Sequence, residues 1–219
     1  MTEEIKVIAR RHLASDGANL SLRAVARDLG VVSSALYRYF ASRDDLLTAL
    51  IIDAYNALGD VVEAAAASRP RDDLEGRWLA VAHAIREWAL QQPHEYALIY
   101  GSPVPGYQAP QDTVGPATRS SFTLIGLLRD GVELGIYSSD GDPLPQPLHD
   151  DLARLRADAA PHVPESLLAR GMAGWLLIFG TVSFELFGQF ETVITDRQAF
   201  FDFQMREAFK NITSRAGRN

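Results

Sequence analysis

The chain contains no cysteine among its 219 residues. Disulfide bonds, thiolate metal sites and thiol redox sensing are therefore excluded, and the composition suits a reducing compartment. The sequence begins MTEEIKVIARRHLA, a stretch that is charged throughout and lacks the apolar segment of a signal peptide. We therefore expect a cytoplasmic protein.

Positive charge is scarce over the chain as a whole. The formal net charge is −7 at pH 7, which at first sight disfavours nucleic acid as a partner. Residues 1–50, however, hold seven Lys and Arg against six Asp and Glu, whereas the other 169 residues hold 14 against 22. Arginine supplies 19 of the 21 cations, and guanidinium groups favour bidentate contacts with phosphate or guanine. Any attraction for phosphate therefore belongs to the N-terminal part.

The sequence also lacks the patterns that accompany catalysis and metal binding. Its five histidines are far apart and show no metal-ligand spacing. No nucleophile elbow, phosphate-binding loop or dinucleotide fingerprint occurs. The pair Asp44-Asp45 lies at a polar helix start, where the helix dipole accounts for it. We expect no enzyme activity, and hence no catalytic residue, no metal ion and no cofactor.

Long apolar runs are absent too. The run from Gly171 to Phe184, GMAGWLLIFGTVSF, has 14 residues without charge, short of the roughly 20 that a membrane span needs, so we expect no membrane partner. This run is apolar almost all round, and a phenylalanine-rich final helix follows it. So much apolar surface predicts a homodimer about a two-fold axis, a large monomeric core being the alternative. The predicted interface residues are Leu168, Met172, Trp175, Phe201, Met205 and Phe209.

Helical spacing of apolar residues runs along most of the chain, and no alternating strand pattern persists. The predicted class is all-α. Within the N-terminal part, Ser21 can cap a short helix that Gly30 ends. A second short helix is predicted from Ser33 to Phe40, and Ser42-Arg43-Asp44-Asp45 resembles a capping box that opens a third. Two short helices joined by a tight glycine turn form the outline of a helix-turn-helix.

Several spaced segments carry a resemblance to a known family. Leu20-Ser21-Leu22-Arg23, Leu29-Gly30-Val31, Ala35-Leu36-Tyr37-Arg38-Tyr39-Phe40 and Ser42-Arg43-Asp44-Asp45-Leu46-Leu47 resemble the DNA-binding domain of TetR regulators over roughly residues 3–52. The resemblance implies that Ser21, Tyr37 and Arg43 contact phosphate and that the segment from Val32 to Ser34 meets base edges. Val32 departs from the serine that is common at its position. The candidate DNA-contacting residues are Ser21, Arg23, Val32, Ser33, Ser34, Tyr37, Arg38, Tyr39 and Arg43.

The C-terminal part is similar to one TetR subfamily, named for a Trp, a His and a Gly. Trp175, Gly180 and Ser183-Phe184-Glu185-Leu186 carry this similarity, and Phe179 stands where the histidine would be. An aromatic set could line a ligand cavity between the middle helices, although the same rings would also serve as plain core. The candidate ligand-binding residues are Trp88, Tyr96, Tyr100, Phe122, Trp175 and Phe179.

The resemblance implies a homodimeric, ligand-responsive, DNA-binding transcriptional regulator. It is expected to be a repressor that a small, mostly apolar effector releases from a double-stranded DNA operator. The expected organisation is an N-terminal three-helix domain containing the helix-turn-helix over residues 1–52, followed by a helical ligand-binding and dimerisation domain over residues 53–219. The alternatives are an all-α enzyme with an incidental helix-turn-helix corner and a helical adaptor that binds a different protein.

Overall fold

A computed structural model describes residues 1–16, 20–137 and 143–213. Within these ranges the chain forms ten α-helices and one short 3-10 helix, and no β-strand. The all-α class is therefore confirmed. The helices are α1 (Thr2–Asp16), α2 (Leu22–Leu29), α3 (Ser33–Leu36), α4 (Arg43–Ala67), α5 (Leu74–Gln91), α6 (Pro93–Tyr100), α7 (Val114–Glu133), α8 (Gln146–Ala159), α9 (Glu165–Leu186) and α10 (Arg197–Thr213).

The chain forms two compact units, each discontinuous in sequence. The first unit comprises Met1–Leu58 and Ala89–Thr118, and the second comprises Gly59–Trp88 and the described residues of Arg119–Asn219. The boundaries fall within α4, α5 and α7. A functional boundary at residue 52 stays a prediction.

The core of the first unit is apolar and shared by sequence-distant segments. Ile5 of α1, Val25 of α2 and Leu36 of α3 are all buried. Leu98 and Tyr107, which come much later in the chain, pack against this cluster, and the Tyr107 hydroxyl lies 2.9 Å from Thr48 Oγ1. Each fully buried side chain of this size contributes roughly 1.5–3 kcal/mol. The N-terminal helices are thus completed by α6 and the segment after it.

Local capping fixes the helix-turn-helix. Ser21 Oγ accepts a hydrogen bond from the Ala24 N–H at 3.5 Å, so the predicted cap of α2 is confirmed. Gly30 ends that helix with φ 74°, in the left-handed region that glycine enters without steric cost. Ser42 Oγ accepts from the Asp45 N–H at 3.1 Å, which confirms the predicted start of α4.

The second helix of the motif is shorter than predicted. Regular α-helix covers Ser33–Leu36 and not the whole stretch to Phe40. The Tyr39 N–H donates to the carbonyl of Leu36, three residues back, at 2.8 Å, so the chain tightens into a turn after the first helical residues. Helical periodicity in the sequence does not distinguish such a turn from another turn of α-helix.

The second unit contains a buried ion pair. Arg86 on α5 donates from Nε and Nη2 to the two carboxylate oxygens of Glu185 on α9, both at 2.7 Å. Both residues are 8% exposed. In the same unit, Trp78 Nε1 donates to the carbonyl of Met205 at 2.8 Å. These bonds join α5 to the two last helices, which also pack on each other.

An arginine clasp joins α7 to the part of α4 that lies in the second unit. Arg119 Nε and Nη2 donate to the two carboxylate oxygens of Glu63, both at 2.8 Å, and Nη2 also donates to Asp60 at 2.6 Å. A Cβ at Gly59 would lie 2.7 Å from Arg119 Nε. Because glycine has no side chain, the guanidinium group of Arg119 can lie against α4 at Gly59.

A second cluster of charges ties α7 to the chain around the start of α5. Arg77 Nη1 and Arg71 Nη2 each donate to a carboxylate oxygen of Asp130 at 2.7 Å. Burial alone would raise the pKa of Asp130, but the hydrogen bonds from the two guanidinium groups outweigh it and hold that pKa below its ordinary value. The carboxylate is therefore ionised near neutral pH.

Of the described helices, α9 is long and apolar enough, by length and composition, to cross a membrane. The core helix of a soluble protein passes the same test.

Candidate functional site

The segment expected to meet base edges is open to solvent. Val32 has extended backbone, with φ −69° and ψ 140°, immediately before α3 and makes no side-chain cap bond. Its side chain is 70% exposed, Ser34 is exposed and Ser33 is half-buried. A methyl-bearing side chain so placed can contact a thymine methyl. The two serines can donate to or accept from bases, and they can donate to phosphates.

Donor groups surround this segment within the same motif. Tyr37 and Tyr39 are 49% and 43% exposed in the turn after α3, and Arg38 between them is exposed. Arg23 is exposed on α2. Among the described contacts neither Arg23 nor Arg38 forms an ion pair. Phenol and guanidinium groups of this kind are the usual donors to DNA phosphate.

Arg43 has a structural partner that the sequence did not indicate. Its Nε donates to the carbonyl of Leu20 at 3.1 Å, just before the cap of α2. Its Nη1 lies 3.5 Å from Asp44 Oδ1. Arg43 therefore ties the start of α4 to the start of α2. Its contact with phosphate stays a prediction.

Two cations of α1 are neutralised within the unit. Lys6 Nζ lies 2.9 Å from Asp53 Oδ2, and Arg10 lies 2.8 Å from Asp53 and 2.9 Å from Glu95. Burial alone would lower the pKa of Lys6, but its hydrogen bonds to Asp53 and Glu3 raise that pKa above its ordinary value. These two side chains are therefore occupied inside the protein, whereas Arg23 and Arg38 of the helix-turn-helix face solvent.

A contact between a histidine and an aspartate joins α1 to α2. His12 Nε2 lies 2.7 Å from Asp28 Oδ2. This hydrogen bond, helped by Arg27, lowers the pKa of Asp28. The contact fixes the two helices relative to each other within the first unit.

The candidate ligand-binding residues are divided between the two units. Tyr96 and Tyr100 belong to the first unit, with ring centroids 5.2 Å apart. Trp175 and Phe179 belong to the second, with ring centroids 5.1 Å apart, as does the buried Trp88. Phe122, also in the second unit, is 52% exposed, and its part in a ligand site stays a prediction.

Trp175 carries an unusual donor. Its Nε1 is buried and has no hydrogen-bond partner among the described residues. A buried donor without an acceptor costs about 1–3 kcal/mol. The amino-acid sequence gives no sign of this, because the position of an acceptor depends on helices distant along the chain.

The first unit contains a cavity that sequence reasoning missed. Its volume is about 330 Å³. The lining comes from α1, α6 and the loop that follows α6. The lining residues are Leu13, Ala14, His94, Ala97, Leu98, Ser102 and Val104. None belongs to the predicted ligand set. No group of three or more His, Asp or Glu residues in the described part of the chain could hold a metal ion.

Three of the predicted dimer residues lie in the core of their own chain. Leu168, Phe201 and Met205 are at most 1% exposed, so they present almost no surface to a partner, and the predicted interface stays a prediction. Trp175 and Phe209 are half-buried, and Met172 is exposed. The large apolar side chains of α9 and α10 that do face solvent are Met172, Leu176, Phe184 and Phe203.

Two family models match the chain. Residues 8–50 match the model of bacterial regulatory proteins of the tetR family. Residues 78–208 match the model of the tetracyclin repressor-like C-terminal domain. The similarity to the subfamily named for Trp, His and Gly stays a prediction.

Regulators with similar sequences and structures are known. The HTH-type transcriptional regulator Rv1816 of Mycobacterium tuberculosis is 41% identical over 210 residues, covering 93% of this chain and 88% of that protein. A solved structure of a protein assigned as regulatory, SCO4313, is 36% identical with a TM-score of 0.77 and covers 94% of both chains. The TetR family transcriptional regulator PfmR from Thermus thermophilus is 17% identical with a TM-score of 0.61, covering 98% of this chain and 99% of that one, and so shares the fold. This chain belongs to the TetR family of bacterial transcriptional regulators, which bind DNA and are not enzymes.

Proposed function

We propose that the protein is a cytoplasmic homodimeric repressor that a small, mostly apolar effector releases from its DNA operator. The observation that carries this proposal is the helix-turn-helix with an exposed, uncapped recognition segment at Val32 to Ser34. Tyr37, Arg38 and Arg23 flank that segment and supply donors to phosphate. The first test is a mobility-shift assay with DNA upstream of the protein's own gene or of its neighbours. An adaptor with an incidental helix-turn-helix would leave such DNA unshifted.

Arg38 gives the cleanest test of phosphate contact, because Arg43 also holds Leu20 internally. Arg38→Ala is expected to weaken binding about equally on operator and unrelated DNA. One lost phosphate contact should reduce the slope of log K against log salt concentration by about 0.9. The measurement is fluorescence anisotropy of labelled duplexes at several salt concentrations.

Arg69→Ala is the matched control. Arg69 is exposed and lies in the second unit, so the variant has the same net charge as Arg38→Ala without a predicted DNA contact. The assignment fails if both variants show the wild-type slope, or if both lower it equally.

The exposed apolar face of α9 supports the homodimer. Met172, Leu176, Gly180 and Phe184 recur every four residues, so they follow one face of the helix. Leu176 and Phe184 are 60% and 53% exposed. A Cβ at Gly180 would meet nothing in the same chain, so internal packing does not require a glycine there, whereas close approach of a helix from a second copy would favour one. The same face on a second copy would bury this surface about a two-fold axis.

The unpartnered Trp175 donor supports a more specific effector chemistry. Trp175 lies at the flank of the buried side of α9, next to Phe179 and away from the face that carries Leu176. An effector that packs on these two rings and places an acceptor oxygen at Trp175 Nε1 would relieve the cost of the unsatisfied N–H. We infer a mostly apolar molecule with a carbonyl, ether or similar acceptor.

Trp175→Phe is expected to lower the affinity for such an effector about fivefold to a hundredfold, because the ring stays and only the donor is lost. Isothermal titration calorimetry with a ketone and the matching hydrocarbon separates the two contributions. The variant should bind both compounds alike, whereas the wild type should prefer the ketone. Tyr137→Phe, which removes a donor from a buried aromatic residue of the same unit outside the candidate ligand set, is the control. A ketone preference that survives in Trp175→Phe contradicts the assignment.

Release from DNA requires that the effector bind one conformation better than another. A dimer reads two half-sites about 34–36 Å apart. Residues of α4 belong to both units, and Arg119 holds its second-unit part to α7. We infer that effector binding acts on the half-site separation through α4. By reciprocal linkage the effector must then bind the DNA complex more weakly, by the factor by which it weakens DNA binding.

A further inference from the structure

The cavity of the first unit has an apolar floor and a polar rim. Leu13 of α1 is 5% exposed at its base, and Ala97 and Leu98 of α6 are half-buried beside it. His94 and Ser102 line the same cavity, and both are exposed. Such an arrangement suits a molecule with an apolar body and one polar group.

The dimensions limit the size of an occupant. A volume of about 330 Å³ lies at the lower end of the roughly 300–1,000 Å³ typical of small-molecule sites. At about 30 Å³ for each water-sized group, it holds on the order of ten heavy atoms. Peptides and large metabolites are therefore excluded as complete occupants.

His94 at the rim can form a hydrogen bond with the polar group of a bound molecule. Among the described contacts the His94 imidazole forms neither a hydrogen bond nor an ion pair. Its neighbour Glu95 is already paired with Arg10 at 2.9 Å, so it does not compete for the ring. A neutral imidazole offers one donor and one acceptor, so a hydroxyl group can bind it in either direction.

We propose that this cavity is a second small-molecule site, which binds a mostly apolar molecule of on the order of ten heavy atoms whose single hydroxyl hydrogen-bonds to His94. It is separate from the proposed effector site, because all its lining residues belong to the first unit whereas Trp175 belongs to the second. An occupant contacts α1, which packs directly against α2 of the helix-turn-helix.

The test compares 2-phenylethanol with ethylbenzene, which lacks the hydroxyl, by calorimetry on the full-length protein. The wild type is expected to bind the alcohol about fivefold more tightly, as one net hydrogen bond provides. His94→Ala should abolish that preference, so that the alcohol and ethylbenzene bind with the same affinity. Chemical-shift changes of the His94 ring should accompany binding of the alcohol.

Two substitutions close the cavity without entering the core. Ala14 and Ser102 are exposed lining residues, so Ala14→Phe and Ser102→Trp should each abolish binding of both compounds in a folded protein. Ala157→Phe, at an exposed position of α8, is the matched control and should bind as wild type. Trp175→Phe should also bind both compounds normally, which distinguishes this site from the effector site. Saturable binding that survives both closing variants, or no binding to the wild type at millimolar concentration, overturns the proposal.

Discussion

Replacing both Leu176 and Phe184 by arginine is expected to produce a folded monomer that binds its operator about 100-fold to 10,000-fold more weakly than the wild type. Both side chains are more than half exposed, so in the single chain the arginines remain in water. In a dimer they would place four buried cations in an apolar interface. The loss of affinity follows because two linked half-site contacts become independent events. Sedimentation velocity and anisotropy on full and half operators measure both effects.

Leu148→Arg controls for added charge on an exposed leucine, since Leu148 of α8 is 41% exposed and lies outside the α9 face. This variant should stay dimeric. If the Leu176 and Phe184 double variant is dimeric, or if the wild type is a monomer at micromolar concentration, the assignment of the α9 face is rejected.

Glu185→Ala is expected to destabilise the fold by about 3–5 kcal/mol, since it leaves the Arg86 guanidinium buried without its carboxylate. Both members of the pair are 8% exposed, so solvent cannot replace the lost partner. Urea unfolding measures the effect. It is best done in the Leu176 and Phe184 double variant, because a dimer's apparent stability depends on protein concentration.

Removing both charges provides the comparison. Arg86→Met combined with Glu185→Leu should cost much less than Glu185→Ala, because no unpaired charge stays buried. Glu185→Asp keeps the charge and should fall between them. A loss below about 1 kcal/mol for Glu185→Ala would mean that Arg86 finds solvent or another acceptor.

Local features of the fold could be predicted from the sequence, because each depends on residues within a few positions of each other. The caps at Ser21 and Ser42 and the left-handed Gly30 are of this kind. The hydrogen bond from Arg43 to Leu20 joins residues 23 positions apart, and no periodic pattern in the sequence indicates it.

The exposed and buried faces of the last two helices could not be predicted for a related reason. When a helix is apolar almost all round, periodicity does not tell which face fills its own core. Phe201 and Phe203 look alike in the sequence, yet the first is fully buried and the second is 60% exposed. Only the placement of neighbouring helices decides between core and partner surface. The orphaned Trp175 N–H and the His94 cavity depend on the same long-range placement.

The discontinuity of the first unit limits how this regulator can be recombined. A fragment that ends after residue 58 would carry the helix-turn-helix but not Leu98, Val104 and Tyr107, which cover part of its apolar core. A chimaera made by a single crossover in α4 would therefore combine the helix-turn-helix of one protein with the residue 89–118 segment of the other, and the two would not have evolved to pack together. A chimaera that transfers residues 89–118 together with residues 1–58 keeps that core intact. Modularity in this protein thus follows the contacts of the unit and not the linear order of the chain.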